Sequence, residues 1–215
     1  MSDYELSKDY FVKVIEDLIA LVDKRKEYYT ELDSAIGDGD HGINLEIGFR
    51  EVNKHLDEWK NLNVRDFYNN VGKALLDKVG GSSGPLYGSF FMKFGLPIKS
   101  KGPDEGATFP EFIEMLDKGV AIIKKRGKST TGEKTMLDTF VPALETLRKE
   151  FEGGTPAKEA MAKAVQAGKD GLEFTRNIVA TKGRAMRLGE RAIGHLDPGA
   201  ASASEFLEVF YDDMP

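Results

Sequence analysis

The sequence predicts an all-α protein: a single domain over residues 1–215, built from about eight amphipathic helices. Three observations carry that expectation. Apolar residues recur at spacings of three and four along most of the chain, which puts them on one face of a helix. Alternation of apolar and polar residues does not persist, and no Asn-Gly pair joins two β-branched runs, so no strand is expected. Capping residues fall where several of the stripes begin and end. The number of helices follows from the chain length and the usual helix length.

The first stripe is Phe11, Val14, Ile15, Leu18, Leu21 and Val22, with Asp17, Lys24 and Lys26 off it. Val64, Phe67, Val71 and Leu75 form the second. The stretch from Lys93 to Gly106 is rich in glycine and proline and reads as a long surface loop. Thr108-Phe109-Pro110-Glu111 then fits a capping box, in which threonine and glutamate satisfy each other's free backbone donors. It opens the stripe of Phe112, Ile113, Leu116, Val120 and Ile123. Met136, Phe140, Leu144 and Leu147 follow, and Gly153-Gly154 ends that helix. Thr155-Pro156 sets a cap before a proline suited to the first helical position, ahead of the looser stripe Met161, Val165 and Leu172. A last short helix carries Phe206, Leu207 and Phe210. No linker and no internal repeat divides the chain.

Composition narrows the class. The chain is 40% hydrophobic and 31% charged, enough to bury a core and too apolar to be disordered. A net charge of −6 argues against a nucleic-acid partner. The absence of cysteine excludes disulfides and thiolate metal sites and agrees with a reducing cytoplasm. The opening MSDYELSKDYF has no basic region followed by an apolar run, so no signal peptide is expected. No apolar stretch approaches the roughly 20 residues that cross a bilayer. A cytoplasmic protein without a membrane partner is the expectation.

Four loops hold residues with chemical potential. In the first, Asp33, Asp38 and Asp40 fall within eight positions, interleaved with Gly37, Gly39 and Gly42. Close carboxylates repel unless a cation or a proton relieves the charge. Hard cations such as Mg²⁺ take oxygen ligands of this kind and share them with phosphates. A plain polar turn is the bland alternative. A calcium loop fails on spacing, because Ile43 to Leu45 offers no late glutamate. Nothing local marks His41 as a base, and Asn44 either donates to a phosphate or caps the next helix.

The second loop, Gly80-Gly81-Ser82-Ser83-Gly84-Pro85, has the hydroxyls and small residues of an anion site at a helix start, and equally the composition of a hinge. It is not a Walker A loop, since no Gly-Lys-Ser/Thr follows. The third, Arg126 to Met136, reads as a solvated connector or as a lid with Met136 against a base. The fourth places Arg184, Arg187 and Arg191 at i, i+3 and i+7, one face of a helix, followed by the turn Asp197-Pro198-Gly199. Arginine is a good bidentate phosphate ligand, although a charged face is more often simply solvated. His195 reads as structural. Together the four loops make a plausible inventory for a magnesium–nucleotide site.

These motifs resemble a family. Gly37-Asp-Gly-Asp-His-Gly, Gly80-Gly-Ser-Ser-Gly-Pro-Leu-Tyr-Gly, Gly132-Glu-Lys-Thr-Met-Leu-Asp and Gly183-Arg-Ala through Gly194-His-Leu-Asp-Pro-Gly look like those of the nucleotide-binding subunits of dihydroxyacetone kinases, in order, from about Phe11 to Phe210. The resemblance implies a barrel of eight antiparallel helices with a nucleotide, ADP or ATP, at one end. It implies that Asp33, Asp38 and Asp40 hold two Mg²⁺ ions, and that His41, Gly42, Asn44, Ser82 and Ser83 line the phosphate region. Gly127 and Met136 would flank the base, with Arg184 and the Asp197-Pro198-Gly199 turn completing the pocket.

The resemblance further implies dihydroxyacetone held on a separate subunit, and a phosphohistidine protein of the phosphotransferase system (PTS) that rephosphorylates ADP. It implies a homodimer within a larger complex, and for some relatives docking on a transcription factor. In a second branch ATP exchanges freely, often in a longer fused chain, and a 215-residue chain favours the first branch. Fatty-acid kinases share the architecture but usually carry threonine at the position of His41. Arg187, Ser129-Thr130-Thr131 and the acidic end Tyr211-Asp212-Asp213-Met214 depart from the family pattern.

Overall fold

The computed structural model describes residues 4–98 and 102–215. Eight α-helices account for most of them: α1 (Lys8–Ile36), α2 (His41–Trp59), α3 (Val64–Lys78), α4 (Ser83–Phe94), α5 (Phe109–Gly127), α6 (Leu137–Glu152), α7 (Ala157–Thr175) and α8 (Pro198–Asp212). Each helix packs on the next, and α8 packs back on α1, so the helices form a closed ring. Connections of four residues join α1 to α2, α2 to α3, α3 to α4 and α6 to α7. Short connections between packed neighbours make them antiparallel. That parity has a direct consequence: the loops after α1, α3, α5 and α7 all emerge at one pole.

The ring forms because each stripe is buried. Phe11, Val14, Ile15 and Leu18 of α1, Phe67, Val71 and Leu75 of α3, and Phe112, Val120 and Ile123 of α5 face the interior. Aromatic rings fill its middle: Phe90 stacks on Phe140 at 5.3 Å, and Phe94 meets Phe210 at 5.3 Å. Thr108 caps α5 in the expected capping box, both halves of which are made. Gly153 ends α6 as expected.

Several expectations need correction. Two short strands exist: β1 (Glu5–Leu6) pairs antiparallel with β2 (Ala107–Thr108). Two residues are too few to show alternation. Phe94 still belongs to α4, so the expected loop from Lys93 starts later, and its residues 99–101 lie outside the described residues, as do residues 1–3 of the chain start. Thr155 does not cap α7: its hydroxyl donates to Glu150, and Pro156 takes the cap position. The last helix is not short. It starts at Pro198, where Asp197 accepts a bond from the Ala200 N–H at 2.7 Å. No described helix is long and apolar enough to cross a membrane.

Candidate functional site

The four loops at the shared pole enclose a cleft of about 620 Å³. Asp33 organises its floor. It sits buried on the last turn of α1, and its Oδ2 accepts from the backbone N–H of Asp40 at 2.8 Å and of His41 at 3.1 Å. One carboxylate thus closes the glycine turn and supplies a negative charge to the start of α2. Burial raises the pKa of Asp33, and the two backbone bonds oppose that rise. One oxygen from each of Asp33, Asp38 and Asp40 lies within 4.8 Å of the others. The Asp38 carboxylate is held by Arg184 at 2.8 Å.

The second loop leans against the first. Gly81 has φ +62°, a left-handed backbone that glycine adopts without strain, and its Cα faces the Asp40 carboxylate, since a Cβ built there would lie 3.9 Å from both carboxylate oxygens. Ser82 and Ser83 both line the cleft at the start of α4. His41 is buried beside them, with Nδ1 2.9 Å from Ser83 Oγ and Nε2 3.0 Å from Ser202 Oγ. Burial pushes its pKa down to about 4, which leaves a neutral imidazole at physiological pH.

Leu86, Ile123 and Met136 give the cleft an apolar wall, near Gly127 and Ser129. Below them, Lys134 is only 1% exposed and has φ +60°. Its ammonium donates to the carbonyls of Thr175 and His195. Those two carbonyls mark the neck of the segment between α7 and α8. The same neck is joined by a bond from Gly194 N–H to Arg176 O at 2.7 Å and by one from Asp197 N–H to Thr175 Oγ1 at 3.0 Å. Asp197 is raised to about 7 by burial, against the bond from Ala200 and the charge of Lys134.

Inside that segment, residues Arg184–Ala192 form a 3₁₀ helix broken at Gly189, whose φ of 57° and ψ of −132° are not helical. The expected single face of three arginines is therefore wrong. Arg184 reaches Asp38 and Arg187 lines the cleft, while Arg191 does not. Ala180, Ala185, Ala192 and Ile36 pack with Leu188 into a small apolar cluster of their own.

Of the residues singled out in the sequence, Asp33, Asp38, Asp40, His41, Ser82, Ser83, Gly127, Met136, Arg184, Asp197, Pro198 and Gly199 meet at this cleft. Gly42 and Asn44 do not line it. A Cβ on Gly42 would fall 1.9 Å from the Lys26 carbonyl, so this glycine lets α2 lie against α1. Asn44 sits behind the second loop, where a Cβ on Gly80 would be 2.7 Å from its Oδ1. His195 contributes its carbonyl to the neck and not its ring to the cleft. Sequence reasoning missed Lys134, Lys182, Ile36 and Leu86 at the cleft wall.

Fold and site together define a helical-barrel domain with a carboxylate-and-amide cleft at one pole. The chain belongs to the DAK2 domain family, whose model matches residues 35–212. It is 45% identical over 216 residues to the PEP-dependent dihydroxyacetone kinase 2, ADP-binding subunit DhaL, of Listeria innocua, covering 100% of this chain and 98% of that one. The ADP-binding subunit DhaL of Escherichia coli K12 is 37% identical over 183 residues, 85% of this chain and 86% of the relative. Among solved structures, the dihydroxyacetone kinase of C. freundii superposes with a TM-score of 0.71 in its native form and 0.69 in complex with AMP-PNP and Mg²⁺, at 24% identity. Those matches cover 94% of this chain but only 34% and 33% of the larger one, and they show the shared fold.

Proposed function

We propose that this chain is the nucleotide-carrying subunit of a dihydroxyacetone kinase. It holds a magnesium-bound adenine nucleotide, and the terminal phosphoryl group passes to dihydroxyacetone on a partner subunit. In that transfer the P–O bond to the nucleotide breaks, a P–O bond to the acceptor hydroxyl forms, and the hydroxyl proton is released. A phosphohistidine protein of the PTS then rephosphorylates ADP. The names of the relatives, which are ADP-binding subunits of PEP-dependent kinases, support this reading. So does the match over 98% of the first relative's length, and on that reading residues 1–215 are one such domain.

The observation that carries the reading is the convergence of three carboxylate oxygens within 4.8 Å beside the start of α4. The donor set fits Mg²⁺. Oxygens about 2.1 Å from one ion lie at most about 4.2 Å apart, so the cluster needs only a small contraction, or two ions to share it. Such ions, when bound, neutralise phosphate charge and align the oxygens for transfer.

The chain's own residues divide the rest of the work. Asp33, Asp38 and Asp40 present the carboxylates, two ions being the reading the family resemblance supports. The Ser82-Ser83 loop turns backbone N–H groups to the phosphates. Leu86, Ile123 and Met136 receive the base. Arg184 exchanges Asp38 for a phosphate oxygen as the ligand enters.

The test is nucleotide content. Near-stoichiometric ADP that survives dialysis supports a bound coenzyme and a PTS donor. An empty protein that binds Mg–ATP reversibly supports the branch with free ATP, and one that binds neither defeats the proposal. Asp38→Ala should abolish magnesium-dependent ADP binding in calorimetry while the helical circular dichroism stays. Self-association and docking on a transcription factor are read in the same preparation, by sedimentation and by pull-down with and without ADP.

A further inference from the structure

The cleft is built in two halves. Its carboxylate half comes from the end of α1 and the starts of α2 and α4, with Asp33, Asp38, Asp40, Ser82 and Ser83. Its apolar half joins Met136, on the connector between α5 and α6, to Pro198 and Gly199 at the start of α8. A Cβ added to Gly199 would lie 3.6 Å from Met136 Cε, so connector and turn present one continuous surface. Its shape depends on how the connector is registered against the turn Asp197-Pro198-Gly199. A direct tie between the helices, from the Thr139 hydroxyl to the Ala200 carbonyl at 3.1 Å, joins α6 to α8 behind that surface. The turn itself is tied by Lys134.

Lys134 stands two residues before Met136 and is buried, with φ +60°. Positive φ is uncommon for lysine and burial of an ammonium is costly, so its bonds must offset both. They go to the carbonyls of Thr175 and His195. His195 lies two residues before Asp197, and Thr175 Oγ1 accepts the Asp197 N–H at 3.0 Å. Both partners therefore lead straight into the turn, and neither belongs to the carboxylate half. On the connector, Asp138 accepts from the N–H groups of Gly132 and Thr135, which pins the backbone on both sides of Lys134. We propose that Lys134 is a positioning residue for the nucleobase: it holds connector and turn in register, so that Met136 and the Pro198-Gly199 backbone meet the base as one preformed surface, and it takes no part in holding metal or phosphate. The inference rests on the proposed magnesium–nucleotide function. A surface already in its bound shape spares the ligand the cost of ordering it.

The experiment is calorimetry of the full chain in excess Mg²⁺ with two probes, ADP and inorganic pyrophosphate, which carries the phosphates without the base. Lys134→Met keeps the length of the side chain and removes its donors. ADP affinity should fall about tenfold, while pyrophosphate affinity stays that of the wild type. Equal losses for both probes would mean that Lys134 acts through its charge or by touching phosphate, and would overturn the proposal. An unchanged ADP affinity overturns it too. Thr175→Val keeps the branched shape and removes the acceptor for the Asp197 N–H; it should show the same selective loss, of about threefold. That variant decides the matter if Lys134→Met fails to fold, and unchanged or equal losses there count against the proposal. A wild type that binds ADP but not pyrophosphate shows that the halves do not act separately, and defeats it as well. A wild type that binds neither probe removes the nucleotide reading itself, whereas one that binds both leaves that reading intact whatever the variants do.

Discussion

The two poles of the ring are finished differently. At the pole away from the cleft, Ser7, Asn63 and Thr108 each accept a bond from the third N–H of the helix they open, in α1, α3 and α5. At the cleft pole, Asp40, Ser82 and Met136 open α2, α4 and α6 without any side-chain capping bond. Each pole has an exception, Pro156 at the first and Asp197 at the second. One end satisfies its own helix termini. At the other the cap residues of these three helices make no such bond: Asp33 serves the start of α2 and Thr135 that of α6 instead, and carboxylates and an arginine ring the cleft.

That contrast makes the two ends respond differently to substitution. The largest expected effect belongs to neither pole. Phe94 is fully buried at the aromatic centre, and Phe94→Ala should lower unfolding free energy by about 3–5 kcal/mol in chemical denaturation, with or without ADP. Next comes Asp197. Its carboxyl sits at about 7 when folded and near 3.8 otherwise, so the folded state keeps a proton that the unfolded chain releases. Its contribution is full below about pH 4 and is lost as pH rises to about 7. Asp197→Asn should flatten that slope, measured by denaturation at pH 4, 5, 6 and 7.

Smaller effects separate the poles directly. Thr108→Ala should cost about 1 kcal/mol and leave ADP affinity alone. Ser82→Ala should cost under about 0.5 kcal/mol, because no capping bond is lost. A reversal of those two results would erase the distinction between the ends. The smallest effect is at Arg184, whose pair with Asp38 is more than half exposed on the arginine side. Arg184→Ala should tighten binding of Mg²⁺ alone by up to about fivefold in calorimetry while weakening ADP, since exposed pairs are worth about 0.2–1 kcal/mol.

Much of this was legible in the sequence for a simple reason. Helix stripes and a capping box are local patterns, and an antiparallel ring sends alternate loops to the same pole. Once Phe11 to Val22, Val64 to Leu75 and Phe112 to Ile123 are read as helices, the aspartate, serine and lid loops have nowhere else to meet. What stayed hidden depends on distance or on silence. Gly199 to Ser204, in the first turns of α8, are too small to show a stripe, although all six are buried. Arg184 and Asp38 are paired across 146 positions, and no local spacing announces that. Lys134 lies among glycine and threonine, the composition of a solvated connector, yet it is the most deeply buried cation of the described residues.

That lysine has a kinetic consequence. By gripping the carbonyls of Thr175 and His195, it draws together the two ends of a 19-residue excursion, positions 176 to 194, which carries its own small apolar cluster. The excursion borrows only Ile36 from the ring for that cluster, so it can open as a unit while the eight helices stay folded. Its amides should exchange with solvent far sooner than those of α3 or α6, and limited proteolysis should nick it first. The chain would then continue as two noncovalently held pieces, with the break falling between the arginine that guards the carboxylates and the turn that closes the cleft.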